Sequence, residues 1–411
     1  MKPSEYSTTT PSQIATAEEG WLSRRYLQQV LSRLPELEYG TLSLFLPSGK
    51  ELQFGQANPG EPRAEVRLKS LKPISRLLRG GLIGWAESYM DGEWDSPDIV
   101  ALVRWALGNE HAMDEVMKGH PVLNFFNRLV HLARSNTRKG SRKNIAYHYD
   151  LGNEFYQLWL DPSMTYSSAL YEQTDDLQEA QLTKYRRICQ MLDVKPGERV
   201  LEIGCGWGGF AEVAAAEFGA VVTGITLSKE QLKYAQKRIA DAGLSDKAEF
   251  QLIDYRDVSG QFDHIVSIEM FEAVGQEHWP TYFKQVRELL KPGSSALLQV
   301  ITIENERFDA YARAADFIQK YIFPGGMLPS PEKLEHQVSQ AHLTLDEQFF
   351  FGQDYARTLA EWRHSFLAQW PRIQAQGFDE RFRRMWLYYL TYCEGGFTEG
   401  SIDVGLFKIS R

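Results

Sequence analysis

Cysteine is scarce in this chain: three among 411 residues. Cys189, Cys205 and Cys393 lie far apart, so there is no C-x-x-C pair for zinc or redox chemistry and no metal site is expected. An odd, sparse set also excludes a disulfide scaffold and fits a reducing cytoplasm. No uninterrupted apolar run approaches the roughly 18 residues of a spanning helix, and residues 1–20 lack the apolar stretch of a signal peptide. A soluble chain is expected, with any membrane contact peripheral. Basic residues are not in excess: 45 Lys and Arg against 54 Asp and Glu leave a charge of −9, which argues against a nucleic-acid partner. Internal repeats are absent, and low complexity is confined to the tail. What is present is a 43% apolar, 12% aromatic composition over 411 residues, enough for two or three packed domains.

Residues 1–20 read as a Ser-, Thr- and Pro-rich tail. Residues 21–115 read as a small α+β domain, with an amphipathic helix over Tyr26–Leu34 and short strands at Thr41–Leu46, Glu51–Phe54 and Ala64–Leu68. A helical segment follows Gly80-Gly81. Another helix, Ile99–Leu107, is expected to start with Ser96 as N-cap and Pro97 at its first position. Residues 116–145 form a connector in which Arg134, Arg138, Lys139, Arg142 and Lys143 occur without an acidic neighbour. A solvated linker and a contact with anionic lipid headgroups are both compatible with that run. Residues 146–411 read as the second domain. From Leu182 onward, helical patterns alternate with apolar runs at Arg199–Ile203, Ala220–Ile225, Ala248–Ile253, Phe262–Ile268 and Ser295–Ile301. That alternation predicts a doubly wound, Rossmann-like α/β sheet.

The sharpest local signal is Glu202-Ile203-Gly204-Cys205-Gly206-Trp207-Gly208-Gly209, an apolar strand running into a glycine turn and a helix. Glycine permits the tight turn and a close ligand approach. With an acidic residue just ahead, the E-x-G-x-G form resembles the first motif of class I S-adenosylmethionine-dependent methyltransferases. Dinucleotide enzymes place an acid after the second strand to hold ribose; here Thr226 and Gln231 offer neutral hydrogen-bonding groups instead. Capping of the next helix by Thr226 or Ser228 is compatible with that role. After the third strand, Asp254 is expected to accept from an adenine amino group and Tyr255 to cover the ring.

Further segments resemble the cyclopropane-fatty-acyl-phospholipid synthase family: His148-Tyr149-Asp150-Leu151-Gly152-Asn153, Leu160-Asp161-Pro162-Ser163-Met164-Thr165-Tyr166-Ser167, Phe271-Glu272 with Val274-Gly275, Phe323-Pro324-Gly325-Gly326, and Tyr355-Ala356-Arg357-Thr358-Leu359. Glu87-Ser88-Tyr89-Met90-Asp91-Gly92 with Trp94-Asp95 is similar to the accessory domain of phospholipid-acting members, which could dock on lipid or mediate dimerisation. The resemblance implies methyl transfer from S-adenosylmethionine to the double bond of an unsaturated acyl chain in membrane phospholipid, at the inner face of the membrane. It implies Tyr166 and Ser167 beside the cofactor. Tyr166, Phe271, Tyr321, Phe323, Tyr355 and the Trp386–Tyr392 segment are candidates to line an acyl passage and face a carbocation.

Ring closure then needs a proton removed from the transferred methyl group. The resemblance implies a bound bicarbonate for this, held by a Cys, a Glu, a His and a Tyr. Glu272 and Tyr355 match. Ser168 stands where the cysteine would be, Gln299 where the histidine would be, and Ala273 replaces another common histidine. Ser168 and Gln299 can hydrogen-bond an anion but supply no positive charge, so bicarbonate binding is an open question. Three outcomes stay open: Glu272 takes the proton itself and a cyclopropane forms; the cation loses a chain proton and leaves a methyl or methylene branch or a furan precursor; or the chain binds lipid without catalysis. Cys393 reads as a packing residue.

Overall fold

The apolar runs between residues 199 and 301 become the parallel part of a seven-stranded sheet. The computed structural model describes residues 25, 27, 28, 30, 31, 37–111, 151–313 and 316–411. The tail, the basic connector with Arg134 to Lys143, and His148-Tyr149-Asp150 lie outside the described residues. The described chain divides into two units.

In the first unit, β1 (Gly40–Phe45) pairs antiparallel with β2 (Glu51–Gln56) and parallel with β3 (Arg63–Leu68). The helix α1 (Lys72–Met90) follows, kinked at Gly81, whose φ of 60° only glycine adopts without strain. A short β4 (Trp94–Asp95) returns to β3. The next helix, α2 (Ile99–Gly108), is capped by Asp98, not Ser96: the Asp98 side chain accepts from the Ala101 amide at 2.9 Å. Pro97 therefore lies ahead of the helix; extended Asp98 brings its carboxylate onto an orphan first-turn donor, where a negative group is favoured.

The late helix Glu380–Thr398, inside the range assigned from sequence to the second domain, clusters with this first unit. An added Cβ at its Gly395 would stand 2.6 Å from Val103 Cγ1, so the absence of a side chain there lets it close on α2. Arg384 stacks 4.0 Å over the Tyr89 ring, donates to the Trp94 carbonyl at 2.6 Å and pairs with Asp95 at 2.8 Å. Trp386, Tyr388 and Tyr389 are buried in a helix of this unit.

In the second unit the strand order is β10-β11-β9-β8-β5-β6-β7, with β5 Arg199–Ile203, β6 Val221–Thr226, β7 Ala248–Leu252, β8 Phe262–Ile268, β9 Leu290–Ile303, β10 Thr344–Phe350 and β11 Ile402–Ser410. The strands from β7 to β9 run parallel; β11 is antiparallel to β9, and β10 to β11. Val200, Leu201, Val266, Leu297 and Val300 are fully buried at its centre. Phe271 is packed among Trp279, Tyr282 and Phe283, at ring separations of 5.1–5.5 Å; it is core and not passage lining. The chain leaves β5 towards β6 on one side, while β8 lies on the other. The carboxyl ends of β5 and β8 thus flank the switch point where doubly wound sheets bind ligands.

Candidate active site

At the end of β5 the chain turns through Gly204, Gly206 and Gly208, with φ of 86°, 50° and 84°. The amides of Gly204 and Cys205 both donate to the Ile225 carbonyl on β6, at 3.0 and 2.9 Å. The turn is thereby pinned to the sheet. A Cβ added at Gly206 would meet no atom within 4 Å, so that glycine borders open space. Glu202, 3% exposed, keeps one carboxylate oxygen, Oε2, buried without a hydrogen-bond partner. Burial pushes its carboxyl well above the usual range. An orphaned buried acceptor beside a glycine turn fits a donor-rich ligand such as the ammonium or ribose end of a nucleoside amino acid.

After β6, Thr226 Oγ1 donates to Gln231 Oε1 at 2.9 Å, and the Ser228 side chain caps the following helix by accepting from the Gln231 amide. Capping by Ser228 and the Thr226–Gln231 hydrogen bond thus coexist. Asp254 accepts from the Arg256 amide and from both ends of its guanidinium fork, at 2.7–3.0 Å. The Tyr255 ring packs edge-on against Tyr282 at 5.4 Å, and its hydroxyl is buried. Both side chains are tied into the protein more closely than the sequence reading foresaw.

The centre of the site is a residue that reading missed. Glu269 follows directly on β8, with φ of 48°, a left-handed conformation uncommon for a side chain of its size. Its carboxylate collects three donors. The Ser168 amide and Gln299 Nε2 reach Oε1 at 2.8 and 2.7 Å, and Tyr355 Oη reaches Oε2 at 2.6 Å. The Glu269 amide donates to the Gln299 carbonyl at 2.9 Å. Ser168, Gln299 and Tyr355 are brought together as expected, but around Glu269. Ser168 contributes its backbone N–H; its hydroxyl is turned onto the Ala169 carbonyl at 2.9 Å.

Glu272 is bonded elsewhere. Its Oε1 accepts from the Ile301 amide at 2.5 Å, and its Oε2 is buried without a partner. Burial, aided by the neighbouring Glu269 charge, pushes its carboxyl up to about 8. Burial also raises Glu269, opposed by the Lys184 charge and by its three donors. Lys184 is fully buried and is lowered to about 7 by that burial, with Glu269, Asp161 and Glu202 pulling the other way. Its Nζ donates to Ser167 Oγ at 2.5 Å, and Gln181 Nε2 donates to the Ser167 carbonyl at 2.8 Å. Ser167 is held from both sides.

Beside Ser167, the Tyr166 ring lies 5.3–5.6 Å from Tyr156, Trp159 and Trp362 and 6.5 Å from Phe323. Trp362 also meets Tyr355 edge-on at 6.1 Å. One continuous aromatic wall therefore ends at the hydroxyl that holds Glu269. Two sequence signals pointed to the missed residues. Glu269 and Glu272 form an E-x-x-E pair leaving a central strand. Lys184 sits on the stripe Ala180, Gln181, Lys184, Tyr185, Ile188 that its helix, Leu177–Leu192, turns inward.

Three similarities bear on this geometry. The family model described as mycolic acid cyclopropane synthetase matches residues 136–407. The chain is 39% identical over 405 residues to tuberculostearic acid methyltransferase UfaA1 of Mycobacterium tuberculosis, covering 95% of this chain and 91% of that protein. It is 38% identical over 362 residues to the cyclopropane-fatty-acyl-phospholipid synthase of Escherichia coli, covering 87% and 90%. Among solved structures, mycolic acid cyclopropane synthase CmaA1 complexed with SAH and CTAB aligns with a TM-score of 0.63 and 33% identity, over 66% of this chain and 98% of that one.

Proposed function

The chain belongs to the mycolic acid cyclopropane synthetase family, and from that premise we propose that it transfers the methyl group of S-adenosylmethionine to the double bond of an unsaturated phospholipid acyl chain and closes a cyclopropane ring. Its second unit has the class I methyltransferase fold. The substrate class follows the Escherichia coli relative, which is named for acyl phospholipid and matches 87% of this chain. When bound, S-adenosylmethionine supplies a methyl group on positively charged sulfur, electrophilic enough for an alkene.

The chain's own residues have separable tasks. Glu202 offers its unpartnered oxygen to the cofactor's polar end, and the backbone at Gly204, Gly206 and Gly208 lets it approach. Thr226 and Gln231 hydrogen-bond the ribose, Asp254 and Tyr255 flank the base, and Tyr166 with Ser167 closes the side towards the acyl chain. The ring faces of Tyr166, Trp362 and Phe323 exclude water and face the cation left on the alkene.

The observation that carries the ring-forming reading is the junction of that aromatic wall with a carboxylate held by three donors. A new methyl group placed there has cation-stabilising faces on one side and a base on the other. A second reading, methyl or methylene branching without ring closure, is favoured by the 39% identity to a tuberculostearic acid methyltransferase. Incubating the purified chain with S-adenosylmethionine and vesicles of oleoyl- or vaccenoyl-phospholipid, then analysing released acyl chains by mass spectrometry and proton NMR, separates the two. Both products gain one CH2 in mass, and only the cyclopropane shows ring protons. Recovery of unmodified chains rejects both.

No described helix is long and apolar enough to cross a membrane. We propose that the enzyme meets the bilayer at its cytoplasmic face, where its acyl substrate lies. Arg134, Arg138, Lys139, Arg142 and Lys143 would meet anionic headgroups there, each contributing on the order of 1 kcal/mol.

A further inference from the structure

We propose that Glu269 is the proton acceptor of ring closure, an internal carboxylate that makes catalysis independent of free bicarbonate. The inference rests on the ring-forming reading above and assigns its base. The three positions where the sequence resemblance implied ligands for a free anion, Ser168, Gln299 and Tyr355, are all present. Each spends a donor on the Glu269 carboxylate, at 2.6–2.8 Å. Two oxygens already receive three hydrogen bonds, which is how a small planar oxyanion is bound; the side chain thus occupies the anion's cradle. None of the three donors is charged, so the cradle suits a carboxylate of the protein better than it would attract an ion from solution. The nearby cation, Lys184, is directed onto Ser167 Oγ.

Glu272 is the competing candidate. One of its oxygens is tied to the Ile301 amide, and neither bonds Ser168, Gln299 or Tyr355. The backbone is consistent with a functional demand at Glu269: a glutamate held at φ 48° carries local strain that a glycine would not, and such strain gathers at working sites.

The step balances. Once the alkene carries the added methyl group, its neighbouring carbon is cationic. A C–H bond of that methyl breaks, its electron pair forms the third C–C bond of the ring, and the proton passes to a Glu269 oxygen. The products are a neutral cyclopropane and a neutral carboxylic acid. Loss of that proton once the lipid has departed returns Glu269 to its charged form.

The test uses the full chain with phospholipid vesicles, in buffer stripped of carbon dioxide and in the same buffer with added bicarbonate. Wild type is expected to form cyclopropane at equal rates in both. Glu269→Gln keeps the size and loses the base, and ring formation should fall by roughly 10²–10⁴-fold, the usual weight of general-base catalysis. Glu269→Gly suits the left-handed backbone and opens the cradle. It should be inactive in stripped buffer and regain activity with bicarbonate or formate, but not with nitrate, which is planar and anionic without being basic. A purely structural Glu269 would not rank anions by basicity. Bicarbonate dependence of wild type, near-full activity of Glu269→Gln, or rescue by nitrate as good as by bicarbonate would each overturn the assignment. Absence of any methylated lipid from wild type in both buffers would instead reject the functional reading on which it rests.

Discussion

The glycine turn offers a prediction in which fold and ligand separate. Gly206 has φ 50° and Gly204 has φ 86°, so alanine at either costs about 1–2 kcal/mol in backbone terms. For a unit of this size that corresponds to roughly 2–4 °C in Tm per kcal/mol. The two sites differ in what the added methyl meets. At Gly204 it stands 2.8 Å from Met270 Cγ, so Met270, the residue after Glu269, must move. At Gly206 it meets nothing within 4 Å; it enters the open space assigned to the cofactor. Gly204→Ala should therefore show the larger fall in Tm. Gly206→Ala should lose only the backbone cost in Tm and at least about tenfold in affinity for S-adenosylhomocysteine, a loss of about 1.4 kcal/mol. Calorimetric titration with that ligand, beside thermal melts with and without it, measures both. Unchanged affinity of Gly206→Ala would refute the placement of the cofactor over this turn.

Other consequences follow from single contacts. Glu272 has its carboxyl raised to about 8, so the folded chain binds a proton that the unfolded chain releases near pH 4. Its contribution is complete below that value and is lost as pH climbs through about 8. Glu272→Gln, which keeps an acceptor for the Ile301 amide, should gain stability over wild type progressively from about pH 4 to 8, by a few kcal/mol at most, with a constant difference above; urea midpoints against pH report it. Arg384→Gln removes the Asp95 pair and the ring stacking on Tyr89 and strands the Trp94 carbonyl, and should destabilise the first unit by about 1–3 kcal/mol in a denaturant titration. Tyr355→Phe removes one of three donors to Glu269 and should lower ring formation without changing S-adenosylhomocysteine affinity. Replacing the five basic residues from Arg134 to Lys143 by Gln should weaken sedimentation with anionic vesicles, most strongly at low salt; unchanged sedimentation would remove that segment from membrane binding.

The central parallel strands β5 and β8 were legible because they are largely buried and carry apolar runs, as in Val200-Leu201 and Ile265-Val266. β10 escaped notice because Thr344–Phe350 is a largely exposed edge strand, whose Asp346-Glu347-Gln348 centre carries no core pattern. The grouping of Glu380–Thr398 with the first unit was illegible for another reason. Helical periodicity tells which face is apolar but not what covers it, and the close approach at Gly395 emerges only in three dimensions. In the site, the members of the cradle could be named in advance, yet their centre could not. Glu269 lies three residues before Glu272, outside the Phe271-Glu272 motif, and nothing local in the sequence says that a glutamate adopts φ 48°. Asp98 displaced Ser96 as cap for a similar reason: both residue types suit the position, and backbone geometry chooses between them.

Supplying S-adenosylmethionine labelled with carbon-13 at its methyl group, with unsaturated phospholipid in bicarbonate-free buffer, tests the central claim directly through one carbon-coupled proton spectrum of the recovered acyl chains. The label should appear as the CH2 of a cyclopropane. A labelled CH3 or exocyclic methylene would assign the chain to branching chemistry, and unlabelled lipid would contradict the account altogether.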